Sequence, residues 1–193
     1  MTVTIKHQEH FSRGALILRT LFGLIYIGIP HFFLLFFVAI WGGILSFLAW
    51  WAVLFAGRYP QGFHAYQVGL LGWATRVNAA FYNLTDEYPA FGFKGTDQAV
   101  SVELACPDKQ SRGILILRTL FSFIYVVIPH GFCLFFRSIW SGILMFLAWF
   151  AVLFAGSYPA SWHSFNAGTL RWSLRVYAYL LYLTDEYPPF SGK

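Results

Sequence analysis

Residues Pro30 to Gly57 read PHFFLLFFVAIWGGILSFLAWWAVLFAG, and no charged side chain interrupts them. Pro129 to Gly156 repeat the stretch as PHGFCLFFRSIWSGILMFLAWFAVLFAG, with Arg137 as its single charge. A chain of 193 residues has too small a core to hide two such runs. Roughly 20 apolar residues cross a bilayer as a helix, so the stretch predicts a membrane protein.

Composition agrees. The chain is 58% hydrophobic, 21% aromatic and 11% charged, whereas soluble domains carry about a quarter charged residues. The formal charge of +5 is spread along the chain. No basic stripe marks a nucleic-acid surface, so no nucleic-acid partner is expected. Cys106 and Cys133 have neither zinc spacing nor a disulfide framework. The polar start, MTVTIKHQEHFSRG, reads as a cytoplasmic tail rather than a cleaved signal peptide.

Working outward, the chain is one unit written twice. SRGALILRTLF at Ser12 returns as SRGILILRTLF at Ser111, and NLTDEYPAF at Asn83 returns as YLTDEYPPF at Tyr182. The offset is constant (111 − 12 = 182 − 83 = 99). The predicted layout is a tail over 1–12, membrane repeats over 13–92 and 111–190, a polar linker over 93–110, and a C-terminal tail over 191–193. The residues from Gly14 to Gly57 suffice for two spans of roughly 20. Each repeat is therefore expected to be a transmembrane helical hairpin, broken either at Pro30-His31 or at Trp41-Gly42-Gly43. After Tyr59-Pro60 and Tyr158-Pro159, apolar residues at steps of three, four and seven predict an amphipathic helix lying in the membrane interface. TDEYP ends it. Val100 to Leu104 reads as a short strand on which nothing depends. The expected fold is all-α and integral to the membrane, with four passes and both tails cytoplasmic.

LFAGRYP, the helix carrying Trp73, Arg76 and Val77, and the closing LTDEYPAF together resemble a bacterial membrane family catalogued as domain of unknown function 4389. RWSLRVYAYLLYLTDEYPPF makes the second copy the closer match, while Gly72 and Ala90 in the first stand where the second has Arg171 and Pro189. The resemblance implies a multipass protein of a bacterial inner membrane and implies no activity.

Several residue groups carry chemistry. Arg76 with Asp86, and Arg175 with Asp185, are expected to form structural salt bridges between helix and terminating turn, with Glu87 and Glu186 as alternative acids. A catalytic acid is the competing reading, and no nucleophile accompanies it. Arg19 and Arg118, inside the apolar segments, are expected to snorkel to lipid headgroups or to meet a partner, as are Arg13, Arg112 and Arg58 at the segment ends. His31 and His130 follow prolines in matching positions. Satisfying nearby polar groups is their ordinary reading, and ligating a b-type haem between the repeats is the alternative. His64 and His163 suit interfacial polar duty. Trp50, Trp51, Tyr59, Trp149 and Tyr158 suit an aromatic belt. Asn83-Leu84-Thr85 matches a glycosylation sequon by chance. All eight acids lie outside the apolar runs, which disfavours coupled ion transport. No metal-binding, phosphate-binding or hydrolase motif is present, and no catalytic residue is assigned. The expectation is a non-catalytic accessory or scaffolding subunit whose partners are membrane lipids and other integral subunits. The alternative is a lipid-binding or solute-permeating protein.

Overall fold

The computed structural model describes residues 1–95 and 99–193. Four helices dominate it: α1, Arg13–Ala56; α2, Gln61–Phe81; α3, Arg112–Ala155; and α4, Ala160–Leu180. Strands β1, Thr2–Ile5, and β2, Val100–Glu103, pair antiparallel with Val3 opposite Val102. The expected strand in the linker is therefore present. Its partner, the alternating TVTI of the tail, was not foreseen.

The expected hairpins do not form. Helices α1 and α3 each continue unbroken for 44 residues. Gly42 does not turn the chain; it lets α2 approach, since a Cβ there would meet Leu70 at 3.0 Å and Gln67 at 3.3 Å. Pro30 is absorbed as well. Proline lacks the N–H that the carbonyl of Tyr26 would accept, and its ring crowds that carbonyl. A π turn at Leu24–Gly28 widens the helix just before it, and the Tyr88 hydroxyl donates to the Tyr26 carbonyl at 3.0 Å. The second copy repeats the device, with a π turn at Phe123–Val127 and Tyr187 donating to the Tyr125 carbonyl at 2.8 Å.

The π turn also sets the facing of α1. Holding one residue more than an α turn, it rotates the preceding segment by about 100°. Leu16 and Arg19 thereby join His31, Leu45, Ala49 and Val53 on one buried stripe. The opposite face is exposed from Ile17 to Phe55, with Leu21 at 67% and Phe33 at 63%. In the most apolar window of each long helix only 22% is buried. The core helix of a soluble protein is mostly buried, so these are of another kind.

Helices α2 and α4, expected at the membrane interface, lie inside the protein. Toward α1, α2 sends Tyr66 to the Val38 carbonyl and Gln67 to the Gly42 carbonyl and the Ser46 hydroxyl. Toward the linker, Gly69 meets Phe93 and Gly72 meets Val102. Toward α4, Leu71, Thr75 and Asn78 share a cleft with Leu170, Ser173 and Leu174. His64, Gln67 and Arg76 of the apparent polar face are thus buried contacts, while Gln61 and Asn78 stay exposed. Tyr59 and Tyr158, each 2% exposed, belong to the core and not to an aromatic belt.

The two repeats interlock. Phe11 N donates to the Gly156 carbonyl at 2.8 Å, and Gln110 N donates to the Gly57 carbonyl at 2.8 Å. Arg13 donates to the Phe154 carbonyl, and Arg112 to the Phe55 carbonyl. The start of each long helix thus closes the C-terminus of the other, where carbonyls lack helical partners. Gly57 and Gly156, at φ 70° and 68°, supply the left-handed turn there. Trp50 to Thr119 and Trp149 to Thr20 add hydroxyl-mediated links in the same zones. The long helices therefore run antiparallel, related by an approximate two-fold axis.

Candidate functional site

Two quasi-identical clusters, each around a buried histidine and tryptophan, form where each TDEYP turn folds back on its long helix. In the first, Trp73 Nε1 donates to His31 Nδ1 at 2.8 Å. Phe91 stacks on the imidazole with ring centroids 3.9 Å apart, and Tyr88 lies 5.4 Å away. In the second, Trp172 donates to His130 at 2.9 Å, Phe190 stacks at 3.9 Å and Tyr187 lies at 5.3 Å. Both histidines are fully buried.

This geometry answers the haem expectation. A donor at Nδ1 places the proton of a neutral ring on Nε2, so neither nitrogen offers a free lone pair. Both Nε2 atoms are buried without a hydrogen-bond partner, and a phenylalanine covers one ring face. Each histidine is packed against aromatic rings of its own repeat. These residues do not fit a haem. Among the described residues, no group of three or more His, Cys, Asp or Glu is placed to hold a metal ion.

The buried arginines bracket the clusters. Arg19 Nη1 donates to the Ala80 carbonyl, Asn83 Oδ1 and the Thr85 carbonyl at 2.8–3.1 Å. Arg118 donates to the Tyr179 carbonyl at 2.6 Å and pairs with Asp185 at 2.8 Å. Its guanidinium also sits 4.0 Å from the Tyr179 ring centre. Neither snorkels to a surface; each clamps the end of α2 or α4. Of the peripheral arginines, Arg13 and Arg112 serve as caps while remaining exposed, and Arg58 is exposed.

The expected helix-to-turn salt bridges are replaced. Asp185 bonds Arg118 and the Ser111 N–H rather than Arg175. Asp86 accepts from the Ser12 N–H at 2.6 Å. Both acids therefore sit at the N-termini of long helices, where a carboxylate is favoured. Arg76 donates to the carbonyls of Ala90 and Gly92, and Arg175 to those of Ser191 and Lys193. These arginines hold the segment after TDEYP by its backbone, because that segment must pass close over the cluster. Arg137 turns inward, donating to Thr169 and stacking 4.1 Å from the Phe165 centre. The outer faces of the long helices stay free of charge.

His64 and His163 reach across the repeats, bonding the carbonyls of Leu183 and Leu84 at 3.2 and 3.0 Å. Burial lowers the pKa of both, opposed by those hydrogen bonds; His7 lowers that of His163 further. Burial pushes the neighbouring Tyr59 and Tyr158 hydroxyls up to about 12.

The arrangement defines a class: tandem-repeat helical proteins in which a terminating turn is locked over a long apolar helix that runs on through a proline. The chain belongs to the family described as Domain of unknown function (DUF4389), matched twice, over residues 13–93 and 115–192. No curated protein and no solved structure matches it. Sequence reasoning found the arginines and histidines but missed Trp73, Tyr88 and Phe91 as their partners. The signal was the shared offset between Pro-His and Tyr-Pro-x-Phe in the two copies.

Proposed function

We propose that the protein is a non-catalytic membrane component, an accessory or scaffolding subunit that presents a folded polar side to partners from the cytoplasmic membrane of a bacterium. The observation carrying this reading is the charge-free outer face of α1 and α3, apolar from Ile17 to Phe55 and from Ile116 to Phe154. Exposed apolar patches larger than a few hundred Å² are uncommon on soluble monomers and mark contact with lipid or protein. The strongest polar residues, Arg19, Arg118, His31 and His130, are spent on holding the fold, which favours a platform over a catalyst. Exposed Arg13, Arg58 and Arg112 at the helix ends suit a cytoplasmic, headgroup-facing placement.

A second reading, lipid binding, has one observation of its own. A crevice of about 400 Å³ opens between α1 and α3, lined by Ser46, Phe47, Trp50, Trp51, Thr119 and Tyr182. Its volume and apolar lining suit a small hydrophobic ligand.

The test begins with tagged protein in native membranes, washed with alkaline carbonate and then solubilised gently. Retention in the washed pellet and a native-gel band of much higher mass, containing stoichiometric partners, are expected. A lone band with tightly held lipid would favour the second reading, and release by carbonate would overturn both.

A further inference from the structure

We propose that the protein is monotopic: α1 and α3 lie in the plane of one leaflet and do not cross the bilayer, so their shared outer face meets acyl chains while β1, β2 and the linker stay in water. This rests on the membrane reading above and specifies its geometry.

Three observations converge. The first is length. The exposed apolar face from Ile17 to Phe55 is about 58 Å long at 1.5 Å per residue, against a hydrocarbon core of about 30 Å. A crossing helix would carry a large part of this face out into water. A helix lying in the interface plane uses all of it.

The second is the path of the linker. Asp86 lies at the Ser12 end of α1, and Gln110 lies at the Gly57 end. The chain between them travels from one end of the molecule to the other, carrying exposed Lys94, Glu103, Asp108 and Lys109. If the long helices spanned, this polar segment would cross the hydrocarbon beside them. Strand β2 itself carries exposed Ser101 and Glu103. A carboxylate facing hydrocarbon is costly. Val102 packs at Gly72, midway along α2, so a spanning orientation would put the sheet near the bilayer centre.

The third is sidedness. Around α2, contacts to α1 and contacts to β2 leave from different faces. The sheet is thereby kept away from the outer face of α1, which is opposite the stripe that touches α2. Arg171 likewise ties α4 to the Val3 carbonyl of β1. The molecule thus has one apolar side and one polar side, with Arg13, Arg58 and Arg112 at the ends where phosphate headgroups would lie.

Sidedness is read with single cysteines in a Cys106→Ser, Cys133→Ser background. Arg58→Cys marks one end of the molecule and Ser157→Cys the other, both exposed. Sealed vesicles of either orientation are treated with a membrane-impermeant maleimide. Both ends are expected to react from the same face, and neither from the other. Reaction from opposite faces would overturn the monotopic geometry while leaving the membrane reading intact. Protein recovered free of the vesicles would sink the membrane reading itself. Nitroxide labels at Ile17→Cys, Phe36→Cys and Phe55→Cys provide an independent readout of depth. A uniform shallow depth is expected along α1. Phe36 at the midplane with its neighbours at the headgroups would refute the proposal, as would labels shielded from lipid by a second copy.

Discussion

Each cluster depends on a few polar atoms around its buried histidine. Replacing Trp73 by Phe removes the donor to His31 Nδ1 and leaves that atom buried, which costs about 1–3 kcal/mol. Tyr88→Phe removes one hydroxyl bond to the Tyr26 carbonyl and costs about 1 kcal/mol. Thermal unfolding in mild detergent should rank Trp73→Phe below Tyr88→Phe, with the same order for Trp172 and Tyr187. The cross-repeat histidines add a pH signature. Their folded pKa values lie below the ordinary histidine value of about 6.5, so the unfolded chain takes up protons first as pH falls. Their contribution is constant above about pH 6.5 and declines below it, by about 1.4 kcal/mol per unit of pKa separation. A His64→Gln, His163→Gln double variant should flatten the acid limb of a stability–pH profile. At this scale the sequence showed which residues carry charge but not whom they meet. Asp185 lies ten positions beyond Arg175, yet it turns to Arg118 because the α4 terminus lands on the start of α3.

Among the elements, the long helices were legible as apolar and repeated but not as continuous. Proline and paired glycines usually break helices, and here both are reinterpreted by neighbours. The π turn and the Tyr88 hydroxyl accommodate Pro30, while the Gly42 site receives Gln67 and Leu70. No local pattern announces a π turn; it follows from the demand that Arg19 and His31 share one stripe. Deleting Ile25 should convert the π turn to an α turn and rotate Arg19 by about 100° off that stripe. The clamp on Ala80, Asn83 and Thr85 and the Arg13 cap would be lost together. We expect a drop in stability of at least about 3 kcal/mol, the scale of stripping a buried charge of its hydrogen-bond partners, read as failure to elute as a single species. Deleting Ala105 in the linker is the matched control and should be tolerated. The amphipathic helices were misread for a related reason: a polar stripe fits partner carbonyls as well as it fits water.

For the whole molecule, the duplication was plain in the residues, but the reciprocal closure of its halves was not, because caps between repeats leave no periodic trace. That closure predicts that the covalent connection is dispensable once folding is complete. A protease site introduced at exposed Asp108-Lys109 should, after cutting, leave two fragments that co-elute in mild detergent. Separation of the fragments would show that the caps at Gly57 and Gly156 do not hold the halves together. The same exchange of caps ties the two copies to each other. A chain with a single copy could complete its helix ends in this way only by meeting another chain of its kind, so the duplicated chain holds within itself both halves of a symmetric pair. A substitution near the start of one copy is felt at the end of the other, and the copies cannot drift as independent domains would.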